Sequence, residues 1–225
     1  MQNARYERKF FLTELNDKQL ETVIKLHPAI FSEIYHERQV NSLYFDNHSL
    51  DFYQHNVQGS QERLKIRLRW YDDLENALDP NLEFKIKVGL LGSKETIACQ
   101  NFSSAGDLPT IHDLLIGENN FASLTKHKLK NLQPVLLISY FRRYFQSADK
   151  KYRLTIDRDL RFYQINNNQI SWNTKLQISA TILELKYDQQ NDAEADKISS
   201  FFPFRMTKSS KYVLGMLKIY PQVKI

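Results

Sequence analysis

The sequence predicts an α+β fold that is mainly β: an eight-stranded antiparallel closed β-barrel with a charged interior and with helices packed outside and at one end. Three observations predict this fold. About eight strand-like segments follow one another with turns between them, four of these segments alternate charged and apolar residues, and a few amphipathic segments are suited to helices. Closure into a barrel also removes the exposed edges of an open sheet.

The alternating segments place their charges on one face of each strand. They read RYERK at 5–9, KIRLR at 65–69, EFKIK at 83–87 and ELK at 184–186. Because successive side chains on a strand point to opposite faces, mostly basic residues share one face and apolar residues the other. Helices can cover the apolar faces, which leaves the charged faces to line the interior. Such a basic cavity suits a ligand with several negative charges in a row, such as polyphosphate.

The first half of the chain contains five of the predicted strands and two helices. Asn16 and Gln19 have the spacing of a helix capping box, and Gly59 ends the second helix. The segment from Gly89 to Gly92 predicts a hairpin between neighbouring strands. In order, we predict a strand around 5–9, a helix over 16–26, a strand over 40–45, a helix over 50–57, and strands over 64–71, 82–88 and 95–102.

The second half continues with a predicted helix over 110–132 and then more strands. The segment 147–150 is rich in turn residues and predicts a hairpin. The remaining predicted elements are strands over 135–145 and 152–157, short strands near 161–165 and 169–172, a strand over 182–187, a helix over 192–202, and a final helix within 208–217. No linker or repeat divides the chain, so we predict a single domain over 1–225.

Composition narrows the classes of function. The net charge is +5, from 31 basic and 26 acidic residues, which favours an anionic partner. The single Cys99 excludes an internal disulfide and a cysteine-based zinc site, and the six histidines lack the HExxH spacing. Neither a signal peptide nor a run of 18 apolar residues is visible, so we expect a cytoplasmic protein. Lys65, Arg67 and Arg69 recur every second residue, with Leu64, Ile66, Leu68 and Trp70 opposite. A nucleic-acid-binding protein usually has its basic residues on a helix or an exposed sheet with stacking aromatics between them, so nucleic acid is an unfavoured partner.

Seven motifs in sequence carry a resemblance to a known family. They are RYERKF at 5–10, LKIRLRWY at 64–71, LEFKIKV at 82–88, SYFRRYFQ at 139–146, YRLTIDRDL at 152–160, ILELKYD at 182–188 and SSKY at 209–212. This series resembles the VTC domain, the polyphosphate polymerase branch of the CYTH-like triphosphate tunnel metalloenzymes. The resemblance implies an eight-stranded triphosphate tunnel that binds ATP, inorganic polyphosphate or pyrophosphate, and a divalent cation, Mn²⁺ or Mg²⁺.

The resemblance also implies roles for individual residues. The residues implied to act on the reacting phosphates are Arg67, Arg69, Lys85, Arg142, Arg153 and Lys211. Those implied to bind substrate are Lys9, Lys65, Lys87, Lys94, Lys186 and Ser210. The implied metal ligands are Glu184 and Glu7. We further expect Asp157 to orient Arg153, Arg143 to lie outside, and Tyr44, Tyr140 and Tyr212 to be packing residues.

One departure from the tunnel pattern bears on function. Tripolyphosphatases of this superfamily begin with an ExExK strand, whereas the matching positions here are Arg5, Glu7 and Lys9. Losing a carboxylate and gaining a cation favours holding a long anionic chain over binding two metals. The resemblance therefore favours a polyphosphate polymerase that transfers the γ-phosphate of ATP. A tri- or polyphosphate hydrolase, a non-catalytic polyphosphate or nucleic-acid binder, and solvated strand faces remain the alternatives.

Overall fold

The computed structural model describes residues 5–115, 129 and 131–222. This part of the chain contains eleven strands and five α-helices. The strands are β1 (Arg5–Leu12), β2 (Ser32–Asp46), β3 (Glu62–Tyr71), β4 (Asn76–Ala77), β5 (Asn81–Val88), β6 (Leu91–Ala98), β7 (Phe102–Ser103), β8 (Gln133–Gln146), β9 (Tyr152–Asn166), β10 (Gln169–Ile178) and β11 (Thr181–Asp188). The helices are α1 (Asp17–Lys25), α2 (Asp51–Gln58), α3 (Ile111–Leu114), α4 (Asp192–Ser200) and α5 (Lys211–Ile219).

One large antiparallel sheet dominates the fold. Its order is β10-β9-β11-β1-β6-β5-β3-β2-β8, and β8 pairs in addition with β9. The pairings therefore pass through eight strands and return to β9. A single residue pair, Arg5 with Gly92, joins β1 to β6. The predicted mainly-β α+β fold with an antiparallel sheet is confirmed, while closure into a barrel stays a prediction.

The two faces of the sheet differ as the alternating segments predict. Ile66, Leu68 and Trp70 of β3 are fully buried in an apolar cluster with residues of α2 and α3. Phe10 of β1 and Leu185 of β11 are likewise buried in a second cluster, which includes residues of α1 and α4. The apolar faces thus pack against helices, and the charged faces of the same strands turn the other way.

Helix α5 covers the charged side of the sheet at the end where β8 becomes apolar. It packs on Leu136 of β8 and Phe162 of β9. A Cβ atom on Gly215 would lie 2.6 Å from side-chain atoms of both residues, so only glycine allows this close approach. Ser210 accepts a hydrogen bond from the Val213 amide and caps the helix. This cap places Ser210 and Lys211 beside the charged strand faces.

Several element boundaries differ from those predicted. Strand β2 begins at residue 32 instead of 40, because its charged first half is held by pairing with β8. Strand β6 starts at residue 91 instead of 95, since Gly89, with φ 59°, turns the chain directly. The strands predicted near 152–157 and 161–165 are one strand, β9, in which Asp159 at φ 52° accompanies a register shift against β8.

The helix predicted over 110–132 lies largely outside the described residues. Among those described, Ile111–Leu114 is helical, and Thr110 caps it in a capping box with Asp113. The two-residue strands β4 and β7 were not predicted, because they are too short to show a periodic pattern. Within the described ranges, no helix is long and apolar enough to span a membrane.

Candidate functional site

A polar cavity lies between the charged strand faces and the start of α5. Its lining consists of Lys9, Tyr44, Lys65, Arg67, Arg69, Lys85, Tyr140, Arg142, Ile182, Glu184, Lys186, Ser209, Ser210 and Lys211. Ten of the fourteen predicted site residues are in this set. Eight of the lining side chains are Lys or Arg and one is a carboxylate, so the cavity is strongly basic.

Strand register brings these side chains together. Residues directly opposite each other in an antiparallel pair point to the same face. Lys65 of β3 lies opposite Lys85 of β5, and Arg67 lies opposite Tyr44 of β2. Lys9 of β1 lies opposite Glu184 of β11. Segments far apart in the sequence therefore contribute cations to one cavity.

Glu184 is surrounded by cations. Its carboxylate oxygens lie 3.1 Å from Nζ of Lys211, 3.0 Å from Nζ of Lys186 and 3.6 Å from Nζ of Lys9. A guanidinium nitrogen of Arg142 lies 3.9 Å away. Burial alone raises the pKa of Glu184, but these cations outweigh it and hold the pKa well below its usual range. Glu184 is therefore an anion at neutral pH.

Asp157 of β9 is fully buried and anchors two of the same cations. Its carboxylate accepts hydrogen bonds from Nε and Nη2 of Arg142 and forms an ion pair with Lys211. The expectation that Asp157 orients Arg153 is therefore wrong. Asp157 and Arg142 are opposite each other in the β8–β9 register, whereas Arg153 lies four residue pairs away from Asp157 in the β9–β11 register.

A second carboxylate, Glu83, positions the arginines of β3. Its Oε2 atom lies 2.6 Å from Nη2 of Arg67 and 3.7 Å from a guanidinium nitrogen of Arg69. Arg67 also donates to the hydroxyl of Tyr44 at 3.1 Å, and Arg69 donates to the hydroxyl of Tyr140 at 3.1 Å. Each guanidinium is thus fixed on more than one side before any ligand binds.

Lys65 and Lys85 have a different environment. Nζ of Lys65 donates to the Ser210 hydroxyl at 2.8 Å. Burial, together with the nearby charges of Lys9 and Lys85, lowers the pKa of Lys65 well below its usual value. Lys85 contacts Glu7 at 2.7 Å, yet burial still lowers the pKa of Lys85 to about 8. Carboxylates therefore compensate the positive charge less in this part of the cavity than they do around Lys211.

Four predicted site residues lie outside the lining. Arg153 is exposed, and its register opposite Lys186 puts it on the same face but at the rim. Lys87 is partly exposed and pairs with Gly92 near the β5–β6 turn. Lys94 forms an ion pair with Glu83 while its side chain is half exposed. The fourth, Glu7, contacts the lining lysines Lys85 and Lys9.

The carboxylates fit a divalent cation only together with ligand oxygens. In the described ranges, no group of three or more His, Cys, Asp or Glu side chains is arranged to hold a metal. Glu7 and Glu184 each have a carboxylate oxygen 3.6 Å from Nζ of Lys9, so the two carboxylates flank one point of the cavity. Mg²⁺ commonly binds through one or two carboxylates and completes its shell with phosphate and water.

Some lining residues were not predicted as part of the site. Tyr44 and Tyr140 were interpreted as packing residues, but their hydroxyls bind the cavity arginines. The alternation of side chains along β8 could have indicated Tyr140, because Tyr140 lies two residues before Arg142 and therefore shares its face of the strand. Ser209 lies beside Ser210. In contrast, the hydroxyl of Tyr212 donates to the buried Asp46 at 2.7 Å, away from the lining.

Comparisons with known proteins agree with this fold. The VTC domain family model matches residues 4–220. The PH1819 protein of Pyrococcus horikoshii has a similar structure, with a TM-score of 0.52 and 14% identity over 95% of this chain and 99% of that one. A "putative adenylate cyclase" from Vibrio parahaemolyticus is similar with a TM-score of 0.52 and 10% identity, over 94% of this chain and 99% of that one. No curated protein sequence matches the chain.

Proposed function

The chain belongs to the VTC domain family, and from this we propose that it is a metal-dependent phosphotransferase that moves the γ-phosphate of ATP onto a growing inorganic polyphosphate chain. The observation that carries the proposal is the charge of the cavity, whose fourteen lining residues include eight cationic side chains and one carboxylate. A ligand with consecutive phosphates supplies the negative charge that this lining lacks.

The basic residues can divide the work of phosphoryl transfer. Arg67, Arg69 and Arg142 present guanidinium groups that can donate to phosphate oxygens, and the lysines act as point charges along the chain. Positioning and charge stabilisation are the main requirements of this reaction. When the acceptor is another phosphate oxygen, it is already anionic, and the protein needs no general base.

The arginines are held ready for this role. Glu83 and the hydroxyls of Tyr44 and Tyr140 fix the guanidinium groups of Arg67 and Arg69 in the absence of ligand. A preorganised donor costs little reorganisation when charge develops on the phosphate oxygens. We propose that the tyrosines are positioning residues for these two arginines.

Glu184, with Glu7, is the proposed ligand pair for Mn²⁺ or Mg²⁺. A divalent cation held there would neutralise part of the phosphate charge and act as a Lewis acid on the reacting phosphate. The cations that now contact Glu184 would turn to the substrate, since phosphate oxygens can replace the carboxylate as their partner. Lys211 keeps a second carboxylate, Asp157, in either arrangement.

The hydrolase alternative requires a carboxylate that orients water, and Glu7 and Glu83 are the candidates beside the cavity. Burial alone raises the pKa of Glu83, but Arg67, Arg69 and Lys94 hold it far below the usual range. Burial acts on Glu7 in the same direction and is likewise outweighed, mainly by Lys85. Carboxylates with such low pKa values are weak bases. This favours transfer to a phosphate acceptor over transfer to water.

A radiolabel assay tests the proposal. Purified protein is incubated with γ-labelled ATP and Mn²⁺ or Mg²⁺, with and without pyrophosphate as primer, and the products are resolved by chain length. We expect labelled chains longer than the primer. Free phosphate as the sole product would replace the polymerase with the hydrolase, and tight polyphosphate binding without turnover would leave a binding module.

A Glu184→Gln variant tests the metal role separately from phosphate binding. We expect metal-dependent turnover to be lost, whereas tripolyphosphate binding measured without metal stays equal or becomes tighter, because the change removes a competing anion. Glu194→Gln on the exposed surface of α4 is the control and should leave both properties unchanged. Equal loss of binding and turnover in Glu184→Gln would contradict the metal role.

A further inference from the structure

Three tyrosines surround one arginine at the start of β2, a group not used by the proposed reaction. The guanidinium carbon of Arg38 lies 5.6 Å from the ring centroid of Tyr35, 4.7 Å from that of Tyr71 and 5.0 Å from that of Tyr144. Nε of Arg38 is buried and has no hydrogen-bond partner among the described residues. We call Tyr35, Arg38, Tyr71 and Tyr144 the tyrosine cluster.

The tyrosine cluster adjoins the basic cavity. Arg38 of β2 lies opposite Arg142 of β8, so both side chains belong to the face that carries the cavity. Tyr144 follows Arg142 on that face, and the guanidinium of Arg142 lies 5.9 Å from the Tyr144 ring centroid. A ligand bound to Arg142 can therefore extend toward the cluster.

Part of the cluster is open to solvent. Tyr35 is 57% exposed, and its ring meets that of Tyr144 edge to face at 87° with centroids 5.8 Å apart. This edge-on contact and the packing of Arg38 hold the Tyr35 ring in place while much of its surface stays accessible. Planar aromatic ligands stack on such rings and on arginine planes.

We propose that the tyrosine cluster is a stacking site for the aromatic base of a nucleoside triphosphate whose phosphates lie in the basic cavity. The inference rests on the proposed function, because it assigns the phosphates to that cavity. Inorganic polyphosphate has no aromatic ring and gains nothing from tyrosines, so the cluster distinguishes the nucleotide from the chain. Stacking recognises the face of a base, and we expect adenine and guanine nucleotides to bind alike.

The test compares ATP with tripolyphosphate, which carries the same three phosphates without a nucleoside. Dissociation constants are measured by calorimetry without metal for the wild type, Tyr35→Ala and Tyr35→Phe. We expect Tyr35→Ala to weaken ATP binding about tenfold, since one base–aromatic stack contributes on that scale, and to leave tripolyphosphate binding within about twofold. Tyr35→Phe keeps the ring and should bind ATP like the wild type.

Phe201→Ala is the matched control. Phe201 is also 57% exposed but packs near His27, away from the cavity lining, so this change should affect neither ligand. Unchanged ATP binding in Tyr35→Ala, or equal weakening of both ligands, would overturn the stacking site while the basic cavity stands. A wild type that binds neither ligand would overturn the proposed function, and the inference with it.

Discussion

Two lysines of the same cavity, Lys65 and Lys211, have opposite electrostatic environments. Removal from water is the largest influence on both and lowers both pKa values. Lys211 contacts Asp157 and Glu184, and these carboxylates raise its pKa above the ordinary value. Lys65 donates to the hydroxyl of Ser210, and burial together with the charges of nearby Lys9 and Lys85 keeps its pKa well below the ordinary value.

The difference teaches that the cavity has two parts with separate tasks. The carboxylate part, comprising Lys211, Arg142, Asp157 and Glu184, balances its own charges and stabilises the fold. The lysine part around Lys65 lacks this balance, and under the proposed function a bound phosphate chain would supply it. Removing a cation from the first part should therefore lower stability as well as function, whereas a mutation in the second part should affect mainly ligand binding.

The largest expected effect is on stability, in Lys211→Met. The change leaves Asp157 and Glu184 buried with fewer cations while roughly keeping the side-chain volume. Removing one partner from a buried ion pair typically costs about 3–5 kcal/mol of the free energy of unfolding, and we expect a loss of that size. Urea denaturation followed by circular dichroism measures it.

Lys218→Met is the control for this variant. Lys218 is exposed in the last turn of the same helix, so this change tests whether removing any lysine of α5 lowers the free energy of unfolding. We expect a change within about 0.5 kcal/mol, as for most surface substitutions. An equally small effect of Lys211→Met would mean that the carboxylate part does not stabilise the fold, and the comparison would fail.

The next effect is on ligand binding, in Lys65→Met. Lys65 has no carboxylate in ion-pair contact among the described residues, so its buried positive charge opposes folding, and we expect unchanged stability or a gain of about 1 kcal/mol. Tripolyphosphate should bind about tenfold more weakly, because a hydrogen bond between charged groups is lost. Calorimetry and urea denaturation on the same preparation give both values. A stability loss as large as that of Lys211→Met would show that the two lysines do not differ.

Lys85 predicts a pH dependence of binding. Burial lowers the pKa of Lys85 to about 8, so its charge is present below pH 8 and is lost above. Tripolyphosphate binding by the wild type should weaken as the pH rises through about 8. Lys85→Arg keeps its charge over this range because the guanidinium stays protonated. The ratio of the two dissociation constants should therefore change with pH, and a constant ratio would contradict the assignment.

The free energy of unfolding should rise with pH, whereas the affinity for tripolyphosphate should fall. The pKa of Lys85 is about 8 in the folded protein and has an ordinary value of 10.5. Between these values the unfolded chain binds more protons than the folded one, so the free energy of unfolding rises with pH. The destabilisation by the buried charge of Lys85 is fully present below about pH 8 and is relieved as the pH rises toward 10.5. Lys85→Arg should show a smaller rise in urea denaturation series, because Lys65, whose pKa is also lowered, still contributes to it.

The sequence predicts the faces of the sheet better than the contacts inside it. Alternation is a local property, and it placed Lys65, Arg67 and Glu184 on the charged face correctly. The partner of Asp157 depends on the register of three strands and on the shift in β9, which no local pattern specifies. Asp157 was therefore assigned to Arg153, although it binds Arg142.

The tyrosine cluster was missed for a related reason. The first half of β2 reads SEIYHERQ at 32–39, which lacks the alternation of apolar residues expected for a strand. Pairing with β8 holds it extended, and only this pairing brings Tyr35 and Arg38 beside Tyr144. Polar strands that border a cavity follow their neighbours more than their own propensities.

Lys94→Ala should have the smallest effect and tests where the lysine part ends. Lys94 lies opposite Lys85 in the β5–β6 register, but its side chain is 52% exposed and its Nζ contacts Glu83 at 3.0 Å. Glu83 keeps Arg67 as a partner after the change, so we expect stability to fall by less than about 1 kcal/mol, as for exposed ion pairs.

The dissociation constant of tripolyphosphate should change by no more than about twofold in Lys94→Ala, because a solvated lysine outside the cavity lining is screened by water and salt. Calorimetry beside Lys65→Met measures the contrast. If Lys94→Ala weakened binding as much as Lys65→Met, Lys94 would leave Glu83 to contact the ligand. The group of lysines that bind phosphate would then include a residue of β6. Whether a lysine lines the cavity would no longer predict whether it binds the ligand.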